Sequence, residues 1–292
     1  MKKKILSILL LVAMLVSMLA GCQKNETGNN SENTEPDTGY AYDQEDNIID
    51  DNYRNYYEIF VYSFYDSDGD GIGDLQGVIK KLDYIKEMGF NAIWLMPIHP
   101  SPTYHKYDVM DYCDIDEQYG TMEDFEQLVD ECHKRGINLT IDFVVNHTAS
   151  SHPWFTQACD YLKSLPEGAT PSAEECKYFG YYHFSQEKVD KTYAKVPGTK
   201  WYYEGSFWSG MPDLNYDSKE LRAEFEEICK FWVEKGVDGF RVDAAMHIVE
   251  SSREENNAIL NWLYTTCTAM NPDFYMVSEV WTVIGTFEKY YE

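Results

Sequence analysis

Three times in this sequence a helical run closes with a cation and a glycine and passes at once into an apolar stretch. The three joints are Lys86-Glu87-Met88-Gly89-Phe90-Asn91, Lys134-Arg135-Gly136-Ile137-Asn138 and Glu234-Lys235-Gly236-Val237-Asp238. Glycine just past a helix accepts the left-handed backbone of a C-cap, and a cation in the last turn offsets the negative end of the helix dipole. A helix that returns this way into a strand is half of a βα unit, and a repeated unit means a parallel sheet covered by helices. The first two glycines are 47 residues apart and the next two 100 apart. One repeat therefore holds roughly fifty extra residues, between about 147 and 217.

Periodicity fills in the units. Strands are expected over residues 58–64, 90–96, 137–145, 237–242 and 274–278, and helices over 75–88, 123–135, 220–235 and 254–270. Thr121 with Asp124 reads as a capping box, and Ser218 as a cap. The extra segment is aromatic, with Trp154, Tyr178, Phe179, Tyr181, Tyr182, Tyr193, Trp201, Tyr202, Tyr203, Phe207 and Trp208, and is expected to form a small domain beside a cleft.

Three of the strands end in acids: Asp142 in Ile141-Asp142-Phe143-Val144-Val145-Asn146-His147, Asp243 in Gly239-Phe240-Arg241-Val242-Asp243, and Glu279 in Val277-Ser278-Glu279-Val280-Trp281. The C-terminal ends of parallel strands are where a barrel assembles its site. Arg241, two residues before Asp243, points to the same side of the strand and should hold Asp243 ionised, as a nucleophile needs. Glu279, between Val277, Val280 and Trp281, is expected in an apolar setting that keeps a carboxyl protonated, as a general acid needs. Two carboxyls in opposite protonation states across one bond are the equipment of glycoside hydrolysis. Isolated acids that merely cap strand ends are the alternative.

These three segments resemble, in order, the first three signatures of the α-amylase family, glycoside hydrolase family 13, over residues 53–292. The resemblance implies an α/β fold, a (β/α)8 TIM barrel of which about the first five βα units are present, with a small inserted domain after the third strand. It implies Asp243 as nucleophile, Glu279 as acid/base, Asp142 as a buried structural acid, and Tyr107, His105, His147, Arg241 and His247 as substrate-binding residues. The family's fourth signature, with a third essential aspartate, is expected beyond Glu292, so the 292-residue chain is read as a fragment and is expected by itself to be inactive and poorly soluble. In Tyr104-His105-Lys106-Tyr107-Asp108, a tyrosine stands at Tyr104 where exo-acting α-glucosidases of the family tend to carry aspartate, which favours an open cleft and internal cleavage. Met211-Pro212-Asp213-Leu214-Asn215 is similar to the fifth signature in a form between oligo-1,6-glucosidases and neopullulanases.

Asp66-Ser67-Asp68-Gly69-Asp70-Gly71-Ile72-Gly73-Asp74 sets four acids at alternate positions of a glycine-rich loop, a layout that wraps oxygens around a hard cation. Position twelve from Asp66 is Gly77, not glutamate, so this is no EF-hand. The family resemblance implies calcium, Ca2+, held by Asp66, Asp68, Asp70, the carbonyl of Ile72, and Asp74. Asn146 matches a ligand of a second calcium site in many α-amylases. A solvated acidic turn is the alternative for the loop.

At the N-terminus Lys2-Lys3-Lys4 precede an uncharged apolar run over residues 5–18, shaped like a secretory signal and short for a bilayer. Leu19-Ala20-Gly21-Cys22 resembles a bacterial lipobox, which implies a membrane anchor through lipidated Cys22 at the outer face of the cell membrane. An ordinary cleaved signal is the alternative. The expected layout is a signal over 1–21, a disordered acidic tether over 22–52, a partial barrel over 53–147 and 218–292, and the inserted domain over 148–217. Net charge is −26, or −29 without the three lysines, which argues against nucleic acid as a partner. Six cysteines besides Cys22 show no zinc spacing; Cys132 and Cys229 read as buried hydrophobes, and Cys159 and Cys176 are a candidate pair within the insert.

The expected activity is retaining hydrolysis of internal α-1,4-glucosidic bonds of starch or maltodextrin through a glycosyl-Asp243 intermediate. An α-glucosidase or neopullulanase-type relative, and a surface glycan-binding lipoprotein without catalysis, are the other readings.

Overall fold

The computed structural model describes residues 53–250, 252–282 and 287–290. The signal, Cys22 and the tether lie outside the described residues. Five parallel strands form one sheet in chain order: β1 (Tyr56–Ile59), β2 (Ala92–Leu95), β3 (Asn138–Val144), β7 (Gly239–Asp243) and β8 (Tyr275–Ser278). Their register sets Asp142 beside Arg241 and Arg241 beside Val277. β3 and β7 are buried at every residue, whereas β1 and β8, at the edges, are mostly half exposed.

The sheet is strongly curved. Tyr56 on one edge strand stacks on Tyr275 of the other with ring centroids 5.7 Å apart, and the Tyr56 hydroxyl lies 3.3 Å from Thr140 Oγ1 on β3. Side chains from alternate strands thus fill one interior layer, the packing rule of this barrel class. Gly239 on the strand between leaves the room: a Cβ there would stand 2.6 Å from the Tyr275 carbonyl oxygen.

The helices form where capping and amphipathic spacing place them. A single turn, α1 (Val61–Phe64), follows β1. Then come α2 (Leu75–Glu87), capped by Asp74, and α3 (Met122–His133), which opens with the Thr121/Asp124 capping box. The insert contributes α4 (Pro153–Ser164); α5 (Lys219–Glu234) is capped by Ser218, and α6 (Arg253–Met270) by Ser252. Gly89, Gly136 and Gly236 adopt φ of +88°, +64° and +85°, so all three joints carry the left-handed cap.

The strand expected over 58–64 is corrected: β1 stops at Ile59 and residues 61–64 make a helical turn. Its neighbour β2 ends at Leu95, so no ladder partner remains, and the Tyr62 carbonyl instead accepts from Gly73 N–H at 2.8 Å.

Between β3 and α5 lies a three-stranded antiparallel sheet, ordered β4 (Phe184–Ser185), β6 (Tyr202–Glu204), β5 (Tyr193–Lys195), with α4 beside it. Its core is aromatic, with Phe155 stacked parallel to Phe184 and edge-on to Tyr203. All six described cysteines are free thiols, Cys159 and Cys176 included, and Cys132, Cys159, Cys229 and Cys267 are buried. Among the described residues no helix is long and apolar enough to cross a membrane.

Candidate active site

Arg241 organises the site. One guanidinium nitrogen, Nη1, donates to both Asp142 oxygens at 3.0 Å and to Asp243 Oδ1 at 2.7 Å, while Nη2 lies 2.8 Å from Glu279 Oε1. Its other face is covered by the Trp94 indole, 4.9 Å from the ring centroid. The two-residue spacing on β7 turns Arg241 and Asp243 to one side, and the parallel register brings Asp142 and Glu279 in from the strands on either side. Three carboxyls around one cation carry an excess of negative charge when all are ionised, so the cluster favours retaining a proton.

Where that proton resides reverses an expectation. Burial pushes the Asp243 carboxyl up to about 6, with the Arg241 charge opposing and the Glu279 charge adding to the rise. Glu279 moves down instead. Burial raises it, but this is outweighed by hydrogen bonds from Ala244 N–H (3.1 Å) and the Trp281 indole N–H (2.6 Å), and by the Arg241 charge. Among the described residues the apolar bracket expected around Glu279 is open: Val277 is 39 % exposed and Trp281 80 %. Each carboxyl shifts the other so that the resting proton is favoured on Asp243. Asp142, buried completely, is also raised by burial, against the pull of Arg241.

The expected substrate-binding residues divide. Tyr107 donates its hydroxyl to Asp142 Oδ2 at 3.1 Å, and its carbonyl lies 3.2 Å from His147 Nε2. His147 is buried, which lowers its imidazole to about 4 and keeps it neutral near pH 7. His105 Nδ1 accepts from Tyr107 N–H at 3.2 Å. His247 lies further out, paired with Glu250 at 2.9 Å. Phe207 of the insert, half exposed, stands edge-on to both His147 (5.3 Å) and His247 (5.5 Å), and so joins them into one wall.

In the acidic loop, Asp66, Asp68 and Asp74 each offer an oxygen within 4.8 Å of the others. Asp66 accepts from the N–H groups of Asp68, Gly69 and Gly71, and the last two hold its carboxyl below the usual range. Asp74 also caps α2 through Gly77 N–H. Asp70 accepts from Ile72 N–H at 2.7 Å and is not in the group of three. Asn146 is buried elsewhere: its Nδ2 donates to Asp213 Oδ1 at 3.3 Å, and its Oδ1 has no hydrogen-bond partner.

Sequence reasoning passed over Trp94 and Ala244, and named Phe207 only among the aromatic residues of the insert. Trp94 reads as an ordinary strand position. Ala244 takes φ +49°, a turn that aims its N–H at Glu279, and nothing about an alanine announces it.

Residues 58–291 match the family model for the α-amylase catalytic domain. Alpha-amylase 3 of Dictyoglomus thermophilum is 46 % identical over 248 residues, covering 82 % of this chain and 46 % of the relative. An oligo-1,6-glucosidase of Bacillus cereus is 41 % identical over 212 residues, covering 68 % and 35 %. The solved structure of Eubacterium rectale Amy13B superposes with a TM-score of 0.81 at 53 % identity, covering 84 % of this chain and 47 % of that one. The chain thus spans between about a third and a half of the length of these relatives. With the family model matched over most of the chain, on strands that carry Arg241, Asp243 and Glu279 to one point, the chain belongs to the α-amylase family, glycoside hydrolase family 13.

Proposed function

We propose that this chain carries the nucleophile and the acid/base of a retaining glycosidase acting on internal α-1,4-glucosidic bonds of starch or maltodextrin. The observation that carries the reading is the bridge from Arg241 to Asp243 and Glu279, at 2.7 and 2.8 Å. Carboxyls that share one guanidinium are close enough for one to attack the sugar directly, whereas inversion needs space for a water between them. Asp243 attacks the anomeric carbon and Glu279 gives its proton to the departing oxygen. The resting proton favours Asp243, so the reactive form arises when it passes to Glu279 as the glycosidic oxygen arrives. Singly protonated, the pair is competent. Loss of that proton above about pH 6 removes the acid.

Tyr107 offers an aromatic face and neutral His147 a polar edge to the bound sugar, with His105 and His247 at the rim. Oxygen donors from Asp66, Asp68 and Asp74 suit Ca2+, which would cross-link the loop after β1 to the start of α2. The partnerless Asn146 Oδ1 beside Asp213 suits a second cation. The signal-like N-terminus and Cys22 support export and a lipid anchor at the outer face of the membrane. A glucosidase specificity remains the second reading, favoured by the oligo-1,6-glucosidase among the relatives.

The test is hydrolysis of amylose and of maltose by the full-length protein and by Asp243→Asn and Glu279→Gln. Each variant is expected to lose on the order of 1,000-fold or more in turnover. A loss below about tenfold removes that residue from its role. Amylose shortened internally supports the α-amylase reading; glucose released singly from maltose supports the glucosidase.

A further inference from the structure

Lys106 is unusual in three independent ways. Its side chain is completely buried, its φ is +60°, and it stands between His105 and Tyr107, both tied to the site. A lysine seldom meets the first two conditions together, since burial strips water from its charge and left-handed backbone crowds its Cβ. An outlier of this kind beside a reactive centre points to function.

The ammonium is fully engaged. Nζ lies 2.8 Å from Asp116 Oδ2, donates to Gln118 Oε1 at 3.0 Å, and sits 4.8 Å from the centroid of the Tyr119 ring. Asp116 is itself fixed: its N–H donates to the Ile98 carbonyl at 2.8 Å, and its carboxylate accepts from Gln118 N–H and Ser101 N–H. The anchor therefore reaches back to the segment leaving β2. On the other side of Lys106 every polar group of Tyr107 is committed, the hydroxyl to Asp142, the N–H to His105 and the carbonyl to His147.

We propose that Lys106 is a positioning residue: its ammonium, clamped by Asp116 and Gln118, holds the left-handed turn that aims Tyr107 at Asp142 and Arg241. The sugar-binding consequence rests on the glycosidase reading; the aiming of Tyr107 does not. Glycine would adopt the same φ without strain. What lysine adds is the tether.

Removing the ammonium alone strands a buried carboxylate, so the informative variant is Lys106→Met with Asp116→Asn, which removes both charges together. In the full-length protein this double variant is expected to melt cooperatively near the parent temperature, while amide exchange at Tyr107 rises about tenfold or more. In a Glu279→Gln background, where sugar is bound but not cleaved, calorimetric affinity for maltotetraose is expected to fall about tenfold. Lys106→Gly with Asp116→Asn relieves the backbone but lacks the tether, and must stay impaired. Unchanged exchange at Tyr107, or full recovery in the glycine variant, overturns the proposal. Should the double variant not fold, Gln118→Met removes only a neutral acceptor and must still raise exchange at Tyr107; no rise overturns the proposal. A Glu279→Gln protein that binds no maltotetraose defeats the glycosidase reading instead, while exchange at Tyr107 still decides the role of Lys106.

Discussion

Asp243 and Glu279 share a guanidinium from neighbouring strands, yet they occupy different media. Asp243, at the end of β7, is 8 % exposed, whereas the described residues of β8 are half open. In the enclosed position desolvation dominates and the carboxyl rises. At Glu279, hydrogen bonds from Ala244 and Trp281 and the Arg241 charge prevail, and the carboxyl falls. Burial and the hydrogen bonds each carboxyl accepts together decide which acid holds the proton.

Replacing the cation that serves both positions should break this contrast most severely. Arg241→Met leaves buried Asp142 and Asp243 without their partner, an expected cost of about 3–5 kcal/mol at pH 7 by urea unfolding. Much of that loss should return at pH 5, where the carboxyls take up protons. Glu279→Gln, at a side chain more exposed than that of Asp243, should cost less than about 1 kcal/mol. Equal losses would mean that the two positions do not differ.

A smaller effect sharpens the same contrast through pH. The Asp243 carboxyl is raised from 3.8 to about 6, so its contribution to stability is fully present below pH 3.8 and is lost as pH rises through 6. Asp243→Asn, which never ionises, should therefore gain on the parent by on the order of 1–3 kcal/mol between pH 4 and pH 7. Glu279 is shifted the other way, so its contribution is present above its unfolded value and is lost on acidification. Parallel stability curves for parent and Asp243→Asn would refute the assignment.

The gentlest probe concerns the acidic loop that follows β1 and α1. Chelator in excess should lower the melting temperature by a few degrees, since about 1 kcal/mol of bound-ion stabilisation is worth roughly 2–4 °C in a domain of this size. An unchanged melt, with no metal in the purified protein, would leave a solvated acidic turn.

Much of this was legible from residues alone, because local rules govern it. Gly89, Gly136 and Gly236 announced helix ends through backbone freedom, and the two-residue spacing of Arg241 and Asp243 announced a shared face. What escaped depends on packing at a distance. Val277, Val280 and Trp281 spell an apolar pocket only when something covers them, and Val277 on β8 and Trp281 beyond it are exposed. Phe60-Val61-Tyr62-Ser63-Phe64 has the composition of a strand, but its ladder partner ends first. Lys106 and Ala244 take a backbone that their residue types disfavour, and only the contacts of their neighbours reveal why.

The strand order also carries a kinetic consequence. Because β1, β2, β3, β7 and β8 neighbour one another in the order of synthesis, each can dock on the edge left by its predecessor as it emerges. No strand has to be threaded between two already paired, which spares the growing chain a late rearrangement. The stack of Tyr56 on Tyr275 joins β1 to β8, so it forms only once β8 has been made. A fluorescent label at either ring would time the arrival of the fifth strand.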